Sequence, residues 1–281
     1  MPKDFRATAL ERAVGRELRG WRDERELSLT EAGKRVGFSS AKLSTMENAI
    51  QPSTSMDIMA LGYVYKVPVD EWQATSARAQ LAVALRTGLQ AAPAIFDPTE
   101  DFPLLFGDAI QLRAFAGEAV PSVFQLAGYS AAVTRNGDPQ KAAHVARVHE
   151  VWQERSHAKD PLAIEAVVPE AVLRQVIGGP RIMKAQLLRL MEMSERPEVC
   201  VRVIPLDAEA YPATGCSFTW LSFPHLQYDD VVYTEMFLRS EYVEGAHKIE
   251  QVRDRFDTLQ RMTLDEGESM ELIAEVAAAL R

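Results

Sequence analysis

The chain has 281 residues, 47% of them hydrophobic and 25% charged, with a formal net charge of −9. That length predicts two domains, and the apolar share is sufficient for real cores. No apolar run reaches the roughly 18 residues that read as a membrane span, and the mixed-charge start MPKDFRATALERAVG is no secretory leader, so a cytoplasmic protein with no membrane partner is expected.

A first predicted helix carries Leu10, Val14, Leu18 and Trp21 at helical spacing, with Arg12, Arg16, Arg19, Arg22 and Arg25 among the other positions. The charge run RDERE at 22–26 is expected to be a solvated helix end with i, i+3 pairs; the alternative is phosphate contact through Arg22 or Arg25. Residues 28–48, SLTEAGKRVGFSSAKLSTMEN, read as two short helices around a glycine turn. Thr30 is expected to cap the first, over 31–36, because its hydroxyl can accept from an unpaired N–H of the first turn. Gly37 stops that helix, since a positive φ costs glycine almost nothing. Ser39 or Ser40 caps the next, which runs to about Asn48. On it Leu43 and Met46 face inward, leaving Ser40, Ala41, Lys42, Ser44 and Thr45 outside. A short helix, a tight turn and a second helix apolar on one side are the parts of a helix-turn-helix. Leu29, Ala32 and Val36 supply the inner face of the first of these helices, and Phe38 fills the turn. Met56, Met59, Ala60 and Tyr63 are expected to face inward from a fourth helix, and Val69, Glu71 and Trp72 to begin a fifth.

At these residues, over roughly 10–80, the chain resembles phage-repressor-type (Xre-like) regulators. The resemblance implies five short helices around one small core. The family motif carries a glutamine near the start of helix two and an arginine after the serine of the recognition helix; here Glu31 and Thr45 stand there, removing one base-edge donor and one phosphate clamp. Candidate DNA-binding residues are Thr30, Lys34, Arg35, Ser39, Ser40, Ala41, Lys42, Ser44, Thr45 and Asn48. Ser40, Ala41 and Lys42 suit base edges: serine donates or accepts, alanine meets a thymine methyl and lysine favours guanine. Lys34, Arg35 and Lys42 suit phosphates. Residues 1–50 hold ten Lys or Arg against eight Asp or Glu, a net of +2, which leaves −11 for the other 231 residues. So weakly basic a segment predicts modest affinity from one copy, strong salt dependence, and a homodimer on double-stranded DNA.

Residues 73–90 read as helical. Pro93, Pro98 and Pro103 then interrupt AAPAIFDPTEDFPLLFG and make a semi-rigid connector. The expected domains are 1–90 (helix-turn-helix), 91–106 (connector) and 107–281 (regulatory and dimerising). In the last, 109–116 reads as helix or strand, and the chain becomes helical by Tyr129. A long amphipathic helix follows Pro139, with Ala143, Val145, Val148 and Val151 or Trp152 inward. PLAIEAVVPE reads as a strand, 171–176 as a short helix ended by Gly178-Gly179, and 182–193 as a longer helix. VCVRVIP, CSFTWLSF and DVVYTE read as strands, with helices at 251–262 and near Leu280. The fold class is mainly α, with an α+β C-terminal domain. Five blocks, EAVPSVFQLAGYSAAV, PEAVLRQVIGGPRIMKAQLLRLMEM, PEVCVRVIPL, GCSFTWLSFP and DDVVYTE, make residues 105–276 resemble a Scr1-like (antitoxin-like) domain that follows helix-turn-helix units in actinobacterial regulators. The resemblance implies a small protein partner encoded nearby.

Catalysis is not expected. No histidine pair has the H-E-x-x-H spacing and no cysteine pair has zinc spacing, so no metal or cofactor is called for. Glu165, Glu170 and Glu235 are more readily solvent-facing than paired. Cys200 and Cys216 read as small buried fillers before a redox pair. Tyr211, Phe218, Trp220, Phe223, Tyr228, Tyr233 and Phe237 form an aromatic cluster, either sheet–helix core or a small-molecule effector pocket lined by Trp220, Phe223, Tyr228 and Tyr233. The residues thus point to a DNA-binding transcription regulator whose C-terminal domain dimerises and senses a small protein or ligand. The alternative is a partner-binding protein whose DNA binding is weak or has lapsed.

Overall fold

The computed structural model describes residues 6–86, 96–134, 139–156, 161–212, 216–225, 228–236 and 239–281. The chain forms two units, one of Met1–Asp97 with His225–Asp229 and one of Pro98–Pro224 with Asp230–Arg281.

Among the described residues the first unit holds five helices: α1 (Ala9–Asp23), α2 (Leu29–Val36), α3 (Ser40–Glu47), α4 (Ser55–Tyr65) and α5 (Val69–Arg86). A capping box starts α1: the Glu11 N–H donates to Thr8 Oγ1 at 3.2 Å and the Thr8 N–H to the Glu11 carboxylate at 2.8 Å. The expected stripe Leu10, Val14, Leu18 and Trp21 is buried. Its residues Val14, Leu18 and Trp21 pack with Ala32, Leu43, Met46, Ile58, Leu61 and Tyr65 in one core. The fourth helix presents a different face from the one expected. Met56, Met59 and Tyr63 are exposed, Tyr63 by 84%, while Ile58, Leu61 and Tyr65 are buried. Two apolar stripes compete on this helix, and Gly62 selects between them. A Cβ there would stand 2.8 Å from Trp72 Cβ, so only the glycine side can lie against α5. The helical stretch expected over 73–90 belongs to α5; residues 87–90 lie outside the described residues, as do 91–95 of the expected connector.

The second unit opens with α6 (Pro98–Gly107), so residues 98–106 are helix, not connector, and Phe102, Leu105 and Phe106 are buried. The helix continues through Pro103, which cannot donate to the Thr99 carbonyl one turn back. The His144 ring meets that carbonyl instead, its Nδ1 2.8 Å away. Next come β1 (Gln111–Phe115), a 3-10 turn at Ser122–Phe124, α7 (Ala127–Val133), α8 (Pro139–Ser156), β2 (Ala163–Pro169), α9 (Glu170–Arg174), α10 (Pro180–Ser194), β3 (Val199–Ile204), β4 (Phe218–Ser222), β5 (Val231–Glu235), β6 (Ser240–Val243), α11 (Ala246–Arg261) and α12 (Glu266–Ala279). The stretch 109–116 thus holds strand β1, and β6 adds a strand that the composition of 240–243 does not signal. On α8, Val145, Val148 and Trp152 are buried, but Ala143 is exposed. Gly179 ends no helix; it precedes α10, with Pro180 in the first turn.

The strand order is β3-β2-β1-β4-β5-β6, parallel from β3 to β1 and antiparallel from β1 to β6. Two helical crossovers supply the parallel half, as parallel neighbours require. Phe115, Val167, Ile204, Phe218, Trp220 and Val232 cover one face and pack with Ile249, Phe256 and Leu259 of α11. The outer edge of β3 is closed by side chain and backbone together. Val203 N–H donates to Ser269 Oγ at 3.0 Å, and its carbonyl accepts from Leu264 N–H at 2.9 Å. Among the described residues no helix is long and apolar enough to cross a membrane. Ser269→Ala should leave the buried Val203 N–H without its acceptor and cost about 1–3 kcal/mol in urea unfolding; an unchanged midpoint would refute this role for the edge cap.

Candidate nucleic-acid interface

The α2–turn–α3 segment is built from short-range codes. Ser28, not Thr30, caps α2. Glu31 N–H donates to Ser28 Oγ at 3.3 Å, and Ser28 N–H and Oγ donate to the Glu31 carboxylate at 3.1 and 2.7 Å. The spelling Ser-x-x-Glu carries that capping box. Thr30 lies inside α2 and is exposed. Hydrogen bonds from the Ser28 hydroxyl, then from its N–H, hold the Glu31 carboxyl below its ordinary value. The place where the resembled motif has a glutamine is therefore occupied by a cap.

Gly37 ends α2 with φ 79°. Gly33 fixes the sharpness of the turn. Its carbonyl accepts from Gly37 N–H at 2.8 Å and Phe38 N–H at 2.9 Å, and a Cβ there would lie 2.5 Å from the Phe38 oxygen. Ser39 Oγ accepts from Lys42 N–H at 3.1 Å and caps α3. Leu43 and Met46 are 1% exposed and face the core. On the opposite side Ser40 and Ala41 are exposed, with Ser44 and Thr45 half-buried. Lys34 and Arg35 stand exposed on α2 and form no ion pair among the described residues.

Three expected contacts are otherwise engaged. Lys42 Nζ donates to Asp57 Oδ1 of α4 at 2.5 Å and lies 3.7 Å over the Phe38 ring. Burial opposes the Asp57 charge, but hydrogen bonds from Lys42 and then Thr54 outweigh it and hold the carboxyl below its ordinary value. Thr45 Oγ1 donates back to the Lys42 carbonyl at 2.7 Å. Asn48 donates to the Ser44 carbonyl at 2.8 Å and accepts from Arg19 at 2.6 Å.

The RDERE run is the solvated helix end expected over Asp23, Glu24, Arg25 and Glu26, which are exposed, although its ion pairs join adjacent residues and not i, i+3 ones. Arg22 departs from it, half-buried and holding α1. Arg22 makes two 2.7 Å hydrogen bonds to Glu47, whose side chain is 4% exposed, and a third to the Leu27 carbonyl at 2.9 Å. The bond to Glu47 raises the Arg22 pKa against the opposing effect of burial. Arg25 donates to the Tyr65 carbonyl at 2.7 Å. At the same crossing a Cβ on Gly15 would sit 2.7 Å from the Glu47 oxygen. Glycine lets α1 touch the end of α3.

The four residues expected to line an effector pocket are not brought together. Strand alternation separates Trp220 from Tyr233, since Trp220 pairs with Val232 and Tyr233 with Thr219. Trp220 is 3% exposed, edge-on to Phe256 at 6.4 Å, and its indole N–H donates to Asp230 at 2.9 Å. Tyr233 packs on Phe102 at 4.4 Å, Phe223 is buried, and Tyr228 belongs to the first unit. Phe237 lies outside the described residues. Glu165 is bonded to Gln111 and Gln260, and Glu170 to Arg174 and the Leu206 N–H, so these two carboxylates do not pair. Cys216 is exposed and Cys200 only half-buried, contrary to the buried-filler expectation. Burial first, then Glu266, pushes the Cys200 thiol up to about 11.

A family model described as a helix-turn-helix domain matches residues 13–74, and one described as "Domain of unknown function (DUF5753)" matches residues 101–275, more than half of the chain. Neither a curated protein nor a solved structure matches it. Replacing Glu47 by Gln should remove the buried carboxylate of the pair, leave Arg22 with Asp23 at 2.6 Å, and lower stability by about 1–3 kcal/mol; a loss near zero in chemical denaturation would show that the pair does not hold the motif.

Proposed function

Because the chain belongs to the family of the domain of unknown function DUF5753, with a helix-turn-helix domain ahead of it, we propose that it is a sequence-specific regulator of transcription, of the Xre-like kind. The carrying observation is the outward side of α3, with Ser40 and Ala41 exposed on a helix whose other side is locked into the core. Such a helix fits the major groove. Serine and alanine can read base edges and the thymine methyl, and Lys34 and Arg35 on the preceding helix supply phosphate contacts. Lys42 serves mainly to brace α3 against α4. In this reading the protein is cytoplasmic, non-catalytic and free of cofactors. It binds double-stranded DNA as a homodimer, and its C-terminal domain dimerises and receives the signal. A small protein is the first choice of signal and a small molecule the second.

The tied-up Lys42 ammonium also favours a second reading, an antitoxin-like partner-binding protein with weak DNA affinity. Selection of duplexes from a random-sequence pool by the full chain separates the two. A regulator should enrich a two-fold pattern with half-sites about one helical turn apart. No salt-sensitive shift with any duplex would remove the regulator reading. Lys34→Ala and Arg35→Ala should each lower the slope of log K against log salt by about one; an unchanged slope takes that residue off the interface. Asp57→Asn should release the Lys42 ammonium, steepen the slope by about one and tighten non-specific binding. If titration across salt shows no change, Lys42 does not reach DNA even when freed.

A further inference from the structure

We propose that Tyr228 is a positioning residue for the recognition helix, a part of the DNA-binding unit supplied from 180 positions downstream of Asn48. This rests on the regulator reading above. The last carbonyls of any helix lack intrahelical donors and must find partners elsewhere. Asn48 is the C-cap of α3, and its carbonyl accepts from the Tyr228 hydroxyl at 3.0 Å. With its side chain held by Ser44 and Arg19, the end of α3 is tied at backbone and side chain together.

Tyr228 is itself well held. The Arg12 guanidinium of α1 lies 4.8 Å from its ring centroid, and Arg12 is 3% exposed. Its ring meets His225 edge-on at 5.4 Å, and its N–H donates to the His225 carbonyl at 2.9 Å. Its backbone forms a parallel bridge with Ala7, and the adjoining Asp229 pairs with Arg6 at 3.4 Å. The ring stacks on α1 and the hydroxyl grips α3, so this one side chain fixes the angle between the helix that carries the core stripe and the helix that faces the groove. The helix-turn-helix unit is therefore discontinuous in sequence, and residues 1–97 lack part of it.

Tyr228 acts on α3 and carries no charge. Its loss should erode contacts to bases, while the phosphate contacts of α2 remain. The test uses the full chain, its Tyr228→Phe and Tyr228→Ala variants, a duplex enriched from the random pool and an unselected mixed-sequence duplex. Tyr228→Phe should weaken binding to the enriched duplex by about three- to tenfold. Its salt slope, its affinity for mixed-sequence DNA and its melting temperature should stay close to those of the parent. Tyr228→Ala should lose more. Equal binding by Tyr228→Phe and the parent overturns the inference, as does a loss shared equally by both duplexes and matched by a drop in melting temperature. If the parent enriches no duplex, the regulator reading fails and this inference falls with it; if the parent enriches one and Tyr228→Phe matches it, only the inference fails.

Discussion

Arg22 and Glu47 face each other through two hydrogen bonds inside the first unit, one from each of the helices that cross at Gly15. A carboxylate so thoroughly withdrawn from water is costly unless a fork-shaped cation meets it squarely, and a guanidinium does so in a single geometry. That geometry sets where α3 ends relative to α1. The same guanidinium holds the Leu27 carbonyl and thereby the approach to α2. Burial and then the Glu47 charge push the neighbouring Tyr65 hydroxyl up to about 12. With one end of α3 placed by this pair and the other by the Ser39 cap and the Gly33 turn, the outward residues have a defined direction.

The second unit meets several of its buried backbone groups with polar side chains. Ser269 closes the edge of β3, the fully buried Gln186 bridges the Leu126 N–H and the Phe124 carbonyl, and His144 serves the carbonyl that Pro103 cannot. Buried backbone groups satisfied in this way make a rigid platform. Its aromatic residues are spent on packing across both faces of the sheet.

Several readings transferred directly from letters to structure. The apolar stripe of α1, the Gly37 stop, the Ser39 cap and the inward Leu43 and Met46 depend on neighbours within about four positions, where geometry is nearly independent of the rest of the chain. The errors have a common origin. On α4 the segment SMDIMALGYVY is apolar around most of its circumference, so periodicity offered two faces and only the approach of Trp72 to Gly62 distinguished them. In the aromatic run, nearness in sequence suggested a cluster that strand alternation pulls apart. In the RDERE run only Arg22 departs from the solvated helix end, because its partner Glu47 stands far along the chain.

By itself, the amino-acid order determined the two-part organisation into a helical motif and a mixed helix–sheet region, the limits of the two motif helices to within a few residues, and which side of α3 is polar. Local capping and side-chain periodicity are sufficient for these. Only the tertiary structure decided which of the polar and charged groups remain outward. Lys42, Asn48, Arg22 and Tyr228 all seek partners, and a buried or half-buried charge takes the nearest complementary group that folding brings to it. That group stands 15 positions away for Lys42, 25 for Arg22 and 180 for Tyr228, a separation across which no local pattern carries information.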